Sequence, residues 1–200
     1  THDRALVANR RGRFEEAVVL QYEAFKGVRN QMARDRVLND LGTSFVQLGV
    51  YSAARDAYLV VAATAQEQYM RWTATINLLD VAVYERREPL FEQYRRDLEG
   101  VPLPPALAPY YYLFMAQGYR AFDKPSLAKA AASRAAEISA SHQLGQTLIE
   151  AEQLLDELNA DEIRASREER VASRKQTWSP AVQGIADAIH EIRTMAGVDG

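Results

Sequence analysis

The chain has 200 residues, of which 48% are hydrophobic and 26% charged, with a formal net charge of −3. This length and hydrophobic content suit one domain with its own core, and the negative charge argues against nucleic-acid binding as the main activity. The absence of cysteine excludes disulfides, thiolate metal sites and a cysteine nucleophile.

Apolar residues at helical spacing, with almost no strand-like alternation, predict an all-α chain. In chain order we expect helices over residues 4–11, 14–29, 35–48, 52–66, 68–86, 89–98, 106–121, 126–139, 142–158 and 159–175. The proline-dense segment from Gly100 to Pro105 predicts a stiff connection inside one domain.

The clearest unit of the chain lies between residues 35 and 68. Its first helix has an apolar face and is expected to end at Gly49, where a residue without a Cβ can adopt a left-handed conformation. Ser52 is a candidate N-cap for the second helix. The apolar face of that helix contains Ala54, Ala57, Tyr58, Val61 and Ala62.

The turn of this unit recurs along the chain. Three residues precede their counterparts by 37 positions, in the pairs Gly12/Gly49, Phe14/Tyr51 and Ala17/Ala54. Ala128 follows Ala54 by 74 positions, and the unit between them is degenerate because Phe91 stands where a small residue is expected. A period of this length, built from helix pairs, predicts an α-solenoid of about four hairpins.

The best unit resembles the tetratricopeptide repeat family at seven positions: Leu41, Gly42, Phe45, Gly49, Tyr51, Ala54 and Tyr58. Gln66 and Val61 depart from the family pattern, and the period of 37 exceeds the family's usual 34. The resemblance covers residues 4–158 and implies a right-handed superhelix with a concave face. Divergent family members often belong to bacterial regulatory proteins.

We therefore expect two domains, a repeat domain over 1–158 and a helical extension over 159–200. The extension consists of a charged helix and then an amphipathic helix that begins at Ser179-Pro180. Its apolar stripe contains Val182, Ile185, Ile189 and Ile192. Three roles are open for this stripe: it packs on its own repeat domain, it occupies a partner's groove, or it joins two copies of the chain. We favour the first.

The resemblance also implies which residues line the concave face, because in this family the first helix of each repeat does so. Asn39 and Asn77 are the best candidates to pair with a peptide backbone, and Arg36 and Arg120 could hold a carboxylate. The full candidate set is Arg36, Asn39, Thr43, Asn77, Asp80, Tyr84, Tyr110, Phe114, Gln117 and Arg120. The alternative for all of them is an ordinary solvated surface.

The sequence contains no pattern typical of catalysis. Its three histidines, His2, His142 and His190, lack partners at metal-ligand spacing, and there is no glycine-rich phosphate loop or nucleophile elbow. We expect no enzyme activity, metal or cofactor.

The preferred function is a non-enzymatic scaffold or adaptor that binds a peptide or a partner segment on its concave face. The alternatives are a sensory or regulatory domain of a larger bacterial signalling or transcription-regulating protein, and a structural subunit of an assembly. The lack of cysteine and of an apolar run of about 20 residues favours a cytoplasmic protein without a membrane-inserted segment. The chain begins at Thr1 without Met, so a removed signal or an upstream domain stays open.

Overall fold

The computed structural model of the chain describes the backbone of residues 2–176 and the side chains of residues 3–166. The described residues are helical apart from short turns and one longer connection, which confirms the all-α prediction for this part of the chain. The helices are α1 His2–Arg10, α2 Phe14–Gly27, α3 Gln31–Gln47, α4 Tyr51–Thr64, α5 Gln68–Tyr84, α6 Glu88–Asp97, α7 Ala108–Ala121, α8 Pro125–Ser141 and α9 Gly145–Gln176. None of these helices is long and apolar enough to cross a membrane.

Helices that follow one another in the chain pack side by side from α1 to α6, and α7 packs on α8. Alternate helices also touch, because α5 contacts both α3 and α7. A buried hydrogen bond between the Ser139 and Thr147 hydroxyls (2.9 Å) joins α8 to the first turn of α9. This pattern of neighbour contacts is that of a helical repeat.

The turns that end every second helix recur at one spacing. Gly12, Gly49, Arg86 and Asp123 all have positive φ angles, between 55° and 73°, and their numbers rise in equal steps of 37 residues. Gly100 and Gln143, which follow α6 and α8, also have positive φ angles. The predicted period therefore extends through the unit that looked degenerate in sequence.

The backbone at Gly49 shows how each of these turns is closed. The Gly49 amide donates to the Val46 carbonyl and the Val50 amide donates to the Phe45 carbonyl, both at 2.9 Å. This pair of bonds satisfies carbonyls that the end of a helix leaves without partners. The helix end expected at Gly49 is confirmed, but the N-cap expected at Ser52 is wrong, because α4 already begins at Tyr51.

The small residues of the repeat lie in the core. Ala17, Ala54 and Ala128 are fully buried, as expected for positions where two helices approach closely. Phe91 occupies the equivalent place in the third unit and is also fully buried. Its ring lies against the backbone of Gly118 on α7, where an added Cβ would overlap Phe91 Cε2. A glycine on the next helix thus provides the space that a small residue provides elsewhere.

Most predicted helix bounds differ from the structure by a few residues, and two differences have a clear cause. α3 begins at Gln31 instead of 35, because the Asn30 side chain accepts a hydrogen bond from the Ala33 amide (3.0 Å) and caps the helix there. Residues 145–176 form one helix and do not restart at Asn159, since no glycine or proline interrupts this segment after Gly145.

The chain divides into two compact units, Thr1–Asp156 and Glu157–Gly200. The described part of the second unit is the C-terminal portion of α9. The predicted stripe Val182, Ile185, Ile189 and Ile192 lies outside the described residues, so its role in partner binding or self-association stays a prediction. The features below all belong to the first unit.

Candidate functional site

The two asparagines predicted to contact a peptide lie next to each other. Asn77 Nδ2 on α5 donates to Asn39 Oδ1 on α3 over 3.1 Å, and Asn39 is buried while Asn77 is half-buried. Each amide carries one donor group and one acceptor. The bond between them therefore leaves the Asn39 nitrogen as a donor and the Asn77 oxygen as an acceptor.

A cavity of about 340 Å³ lies beside Asn39, between α3 and the beginning of α5. Asn39 and Asp40 form its α3 side, and Tyr69 and Thr73 form its α5 side. On α5 the positions Thr73, Asn77, Asp80 and Tyr84 follow at steps of four, three and four, so they share one face of the helix. We call the cavity together with this face of α5 the α3–α5 groove.

Arg36 lies at the rim of the groove and already has a carboxylate partner. Its Nη2 is 3.3 Å from both carboxylate oxygens of Glu67. A ligand carboxylate would have to compete with this internal one. The geometry therefore weakens the expectation that Arg36 serves as a free anion receptor.

Tyr58 of α4 reaches the groove by crossing α3 at Gly42. An added Cβ at Gly42 would lie 2.6 Å from Tyr58 Cε1, so only glycine leaves room for the ring. The Tyr58 hydroxyl is 3.1 Å from Thr43 Oγ1, which in turn donates to the Asn39 carbonyl (3.3 Å). Thr43, which was predicted to contact a peptide, thus links α3 to Tyr58 through its hydroxyl.

Asp80 is a partly buried carboxylate on the α5 face of the groove. Burial raises the pKa of Asp80 to about 7. Within the described part of the chain, no side chain donates a hydrogen bond to it and no cation pairs with it. The neighbouring Tyr58 has a raised pKa, first because it is buried and then because the charges of Asp80 and Asp40 are close.

Tyr84 is the last residue of α5 and lies at one end of the groove. Its ring stacks on Tyr51 with centroids 4.9 Å apart and planes inclined by 1°. The nearby Asp80 charge is the largest cause of the raised pKa of Tyr84. Tyr84 keeps 49% of its surface exposed, so the stacked pair offers a fixed aromatic surface to a ligand.

The predicted residues of α7 lie on the helix that packs against α5. Tyr110 is exposed and Phe114 is partly buried. The pKa of Tyr110 is raised by burial and by the charges of Glu150 and Tyr69. Gln117 and Arg120 are exposed further along α7.

The structure contains a larger cleft that the sequence did not suggest. It has a volume of about 570 Å³ between the proline-dense segment, α7 and α8. Its polar groups include Arg95 and Arg134, which are already bound to acidic residues: Arg95 to Glu92 and Glu99, and Arg134 to Glu137. The proline density of Gly100–Pro105 was the available signal, but a loop's composition does not predict which helices it faces.

Among the residues with described side chains, no group of three histidine, aspartate or glutamate residues could hold a metal ion. Comparison of the chain with protein-family models, curated proteins and solved structures finds no match. The tetratricopeptide resemblance therefore stays a prediction that depends on the residues quoted for it.

Proposed function

We propose that this chain is a non-enzymatic interaction module, a scaffold or adaptor, whose repeats form a right-handed solenoid of the tetratricopeptide type. It holds an extended segment of a partner protein in the α3–α5 groove and along the adjoining face of α7. The equal spacing of the turns at Gly12, Gly49, Arg86 and Asp123 supports the repeat organisation.

The observation that carries the proposal is the amide pair of Asn39 and Asn77 beside the cavity. Each residue of an extended peptide presents one backbone N–H donor and one carbonyl acceptor. The pair offers the complement, a donor from Asn39 and an acceptor from Asn77, and Asn39 lines a space of about 340 Å³.

The binding groups are held in position before any ligand arrives. Asn39 is fixed by Asn77, and Tyr84 is fixed by its stacking on Tyr51. Side chains that are already ordered lose little conformational entropy when a ligand binds. Preorganisation of this kind is the mechanism by which a rigid helical array binds a flexible segment.

Replacing Asn77 by alanine tests the proposal. Dodecapeptides are selected from a random phage-displayed library on the immobilised full chain, and their affinities are measured by calorimetry. We expect Asn77→Ala to weaken their binding about 5- to 30-fold, because a hydrogen bond to the peptide is lost. Thermal unfolding followed by circular dichroism verifies that the variant is folded.

Gln93→Ala is the matched control, since Gln93 is an exposed amide on α6, outside the groove. This variant should bind the selected peptides as the unaltered chain does. Selected peptides that bind Asn77→Ala and the unaltered chain equally well would show that the groove is not their site. Failure to select any peptide would contradict the proposed function itself.

A further inference from the structure

The carboxylate of Asp80 lacks the counter-charge that Glu85 and Glu92, two other partly buried acids, have. Glu85, at the end of the same helix, pairs with Arg55 at 2.6 Å, and Glu92 pairs with Arg95 and Lys124. Asp80 has neither a hydrogen bond nor an ion pair from any described residue. Burying a carboxylate without a partner costs free energy. A cation that binds in the groove would offset this cost.

The surroundings of Asp80 suit a cation better than an anion. Tyr84 follows Asp80 by four residues on α5 and is 49% exposed, and the faces of aromatic rings attract cations. The cation nearest the mouth of the cavity, Arg36, is bound to Glu67.

A metal ion is a poor fit to this position. Among the described side chains no cluster of three possible ligands includes Asp80, and its neighbours are tyrosines. A single carboxylate with an exposed aromatic ring one helical turn away is instead suited to an organic cation on a long arm, which can reach a partly buried acid while its apolar stem packs on the ring.

The position of the amide pair indicates that this cation belongs to a peptide. Asn77 precedes Asp80 by three residues on α5, a rise of about 4.5 Å along the helix. An extended peptide advances about 3.3 Å per residue. A backbone group at Asn77 and a side chain at Asp80 are therefore within one or two residues of each other on the same bound segment.

We propose that the α3–α5 groove selects a partner segment that carries a lysine or arginine, and that Asp80 pairs with this cationic side chain. The proposal rests on the proposed function, because it specifies the chemistry of the segment that the groove holds. The Tyr51–Tyr84 stack packs on the stem of the basic side chain, and the amide pair binds the backbone next to it.

A matched pair of small probes separates the charge preference from all other contacts of a peptide. Nα-acetyl-arginine N-methylamide and the citrulline analogue have the same shape and differ in charge. We titrate each into the full chain and follow the Asn77 side-chain amide and the Asp80 backbone amide by nuclear magnetic resonance. The arginine probe is expected to bind at least tenfold more tightly than the citrulline probe.

Asp80→Asn should abolish the difference between the two probes, because it keeps the shape of the side chain and removes the charge. Asp56→Asn is the matched control, since Asp56 is an exposed acid on α4, and it should retain the preference for arginine. Equal affinities of the two probes for the unaltered chain would overturn the proposal. So would a preference for arginine that persists in Asp80→Asn.

The library peptides separate this inference from the proposed function. The proposal expects them to be enriched in lysine or arginine and to bind Asp80→Asn at least tenfold more weakly. Neutral or acidic peptides that depend on Asn77 but not on Asp80 would leave the peptide groove standing and refute the cationic partner. Binding of the arginine probe at Asp80 without any selectable peptide would refute the peptide groove and leave the cation site standing.

Discussion

Asp80 and Glu85 lie little more than one helical turn apart at the end of α5, and their chemistry differs because only one has a counter-charge. Arg55 holds the Glu85 carboxylate at 2.6 Å, whereas burial without a partner raises the pKa of Asp80 to about 7. Because of this difference Asp80 opposes folding wherever it is ionised, as is common for residues that serve binding at the expense of stability.

Replacement of Asp80 by asparagine should therefore stabilise the protein in a pH-dependent way. The folded chain holds a proton on Asp80 up to about pH 7, while the unfolded chain releases it near 3.8, so stability falls between these values and then levels off. Because the variant lacks this carboxylate, its free energy of unfolding above pH 8 should exceed that of the unaltered chain by roughly 2–4 kcal/mol. The difference should shrink towards pH 4.

Urea denaturation from pH 4 to pH 9 measures this difference. The other titratable groups near Asp80 are Tyr58, Tyr84 and Asp40, and the substitution leaves them in place. Asp56→Asn should give a profile parallel to that of the unaltered chain. A constant difference between Asp80→Asn and the unaltered chain at all pH values would contradict the raised pKa.

At the scale of the element, the turns that end α1, α3, α5 and α7 share one backbone conformation but not one residue type. Gly12 and Gly49 adopt positive φ without strain, whereas Arg86 (φ 55°) and Asp123 (φ 58°) do so with a Cβ. The hydrogen bonds of the turn are the same at Arg86, whose amide donates to Val83 while the Arg87 amide donates to Ala82. Arg86 therefore adopts, within the same hydrogen-bonded turn, a conformation that its residue type disfavours.

Arg86→Gly is expected to raise the free energy of unfolding by about 0.5–1 kcal/mol, because it relieves this strain. Arg86→Ala removes the same long side chain but keeps the Cβ, so it should bring no gain. Gly49→Ala, the reverse change at the equivalent turn, should lower stability by about 1 kcal/mol. Urea denaturation of the three variants provides the comparison, and equal effects of Arg86→Gly and Arg86→Ala would contradict the assigned strain.

At the scale of the whole molecule, stability depends on how neighbouring hairpins fit together. Phe91 of α6 lies over Gly118 of α7 and packs against Tyr119 and Phe122, with ring centroids 5.5 and 5.4 Å away. A large residue in one hairpin and a glycine in the next thus form a complementary pair. The third hairpin keeps the repeat spacing because its neighbour compensates for Phe91.

Gly118→Ala should lower the free energy of unfolding by roughly 2–4 kcal/mol, because the new Cβ would overlap the Phe91 ring. Combining it with Phe91→Leu should cost less than the sum of the two single changes, with a coupling of about 1 kcal/mol or more. Gly27→Ala is the control, since nothing lies within 4 Å of a Cβ at Gly27. Strictly additive effects in thermal or urea denaturation would show that the two positions do not share their space.

The sequence by itself determined the helical class, the approximate position of most helices and the spacing of 37 residues. These features depend on local chemistry: apolar residues at steps of three and four, and glycines such as Gly12 and Gly49 at the helix ends. The proximity of Asn39 and Asn77 could also be predicted from the sequence, since their place in the repeat puts them on facing helices. The single helix across Asn159 was missed because a capping-type residue is only an option for a helix start, and the surrounding residues favour continuation.

Only the tertiary structure decided which residues complement one another in size and in charge. The space that Gly118 leaves for Phe91 and the lack of a described counter-charge at Asp80 both depend on residues distant in sequence. Local pattern specifies how a segment folds, but burial and pairing are properties of the contacts that segments make with each other. For this reason the spacing of the repeat could be predicted from the chain, while the lack of a described partner for Asp80 became visible only in the packed helices.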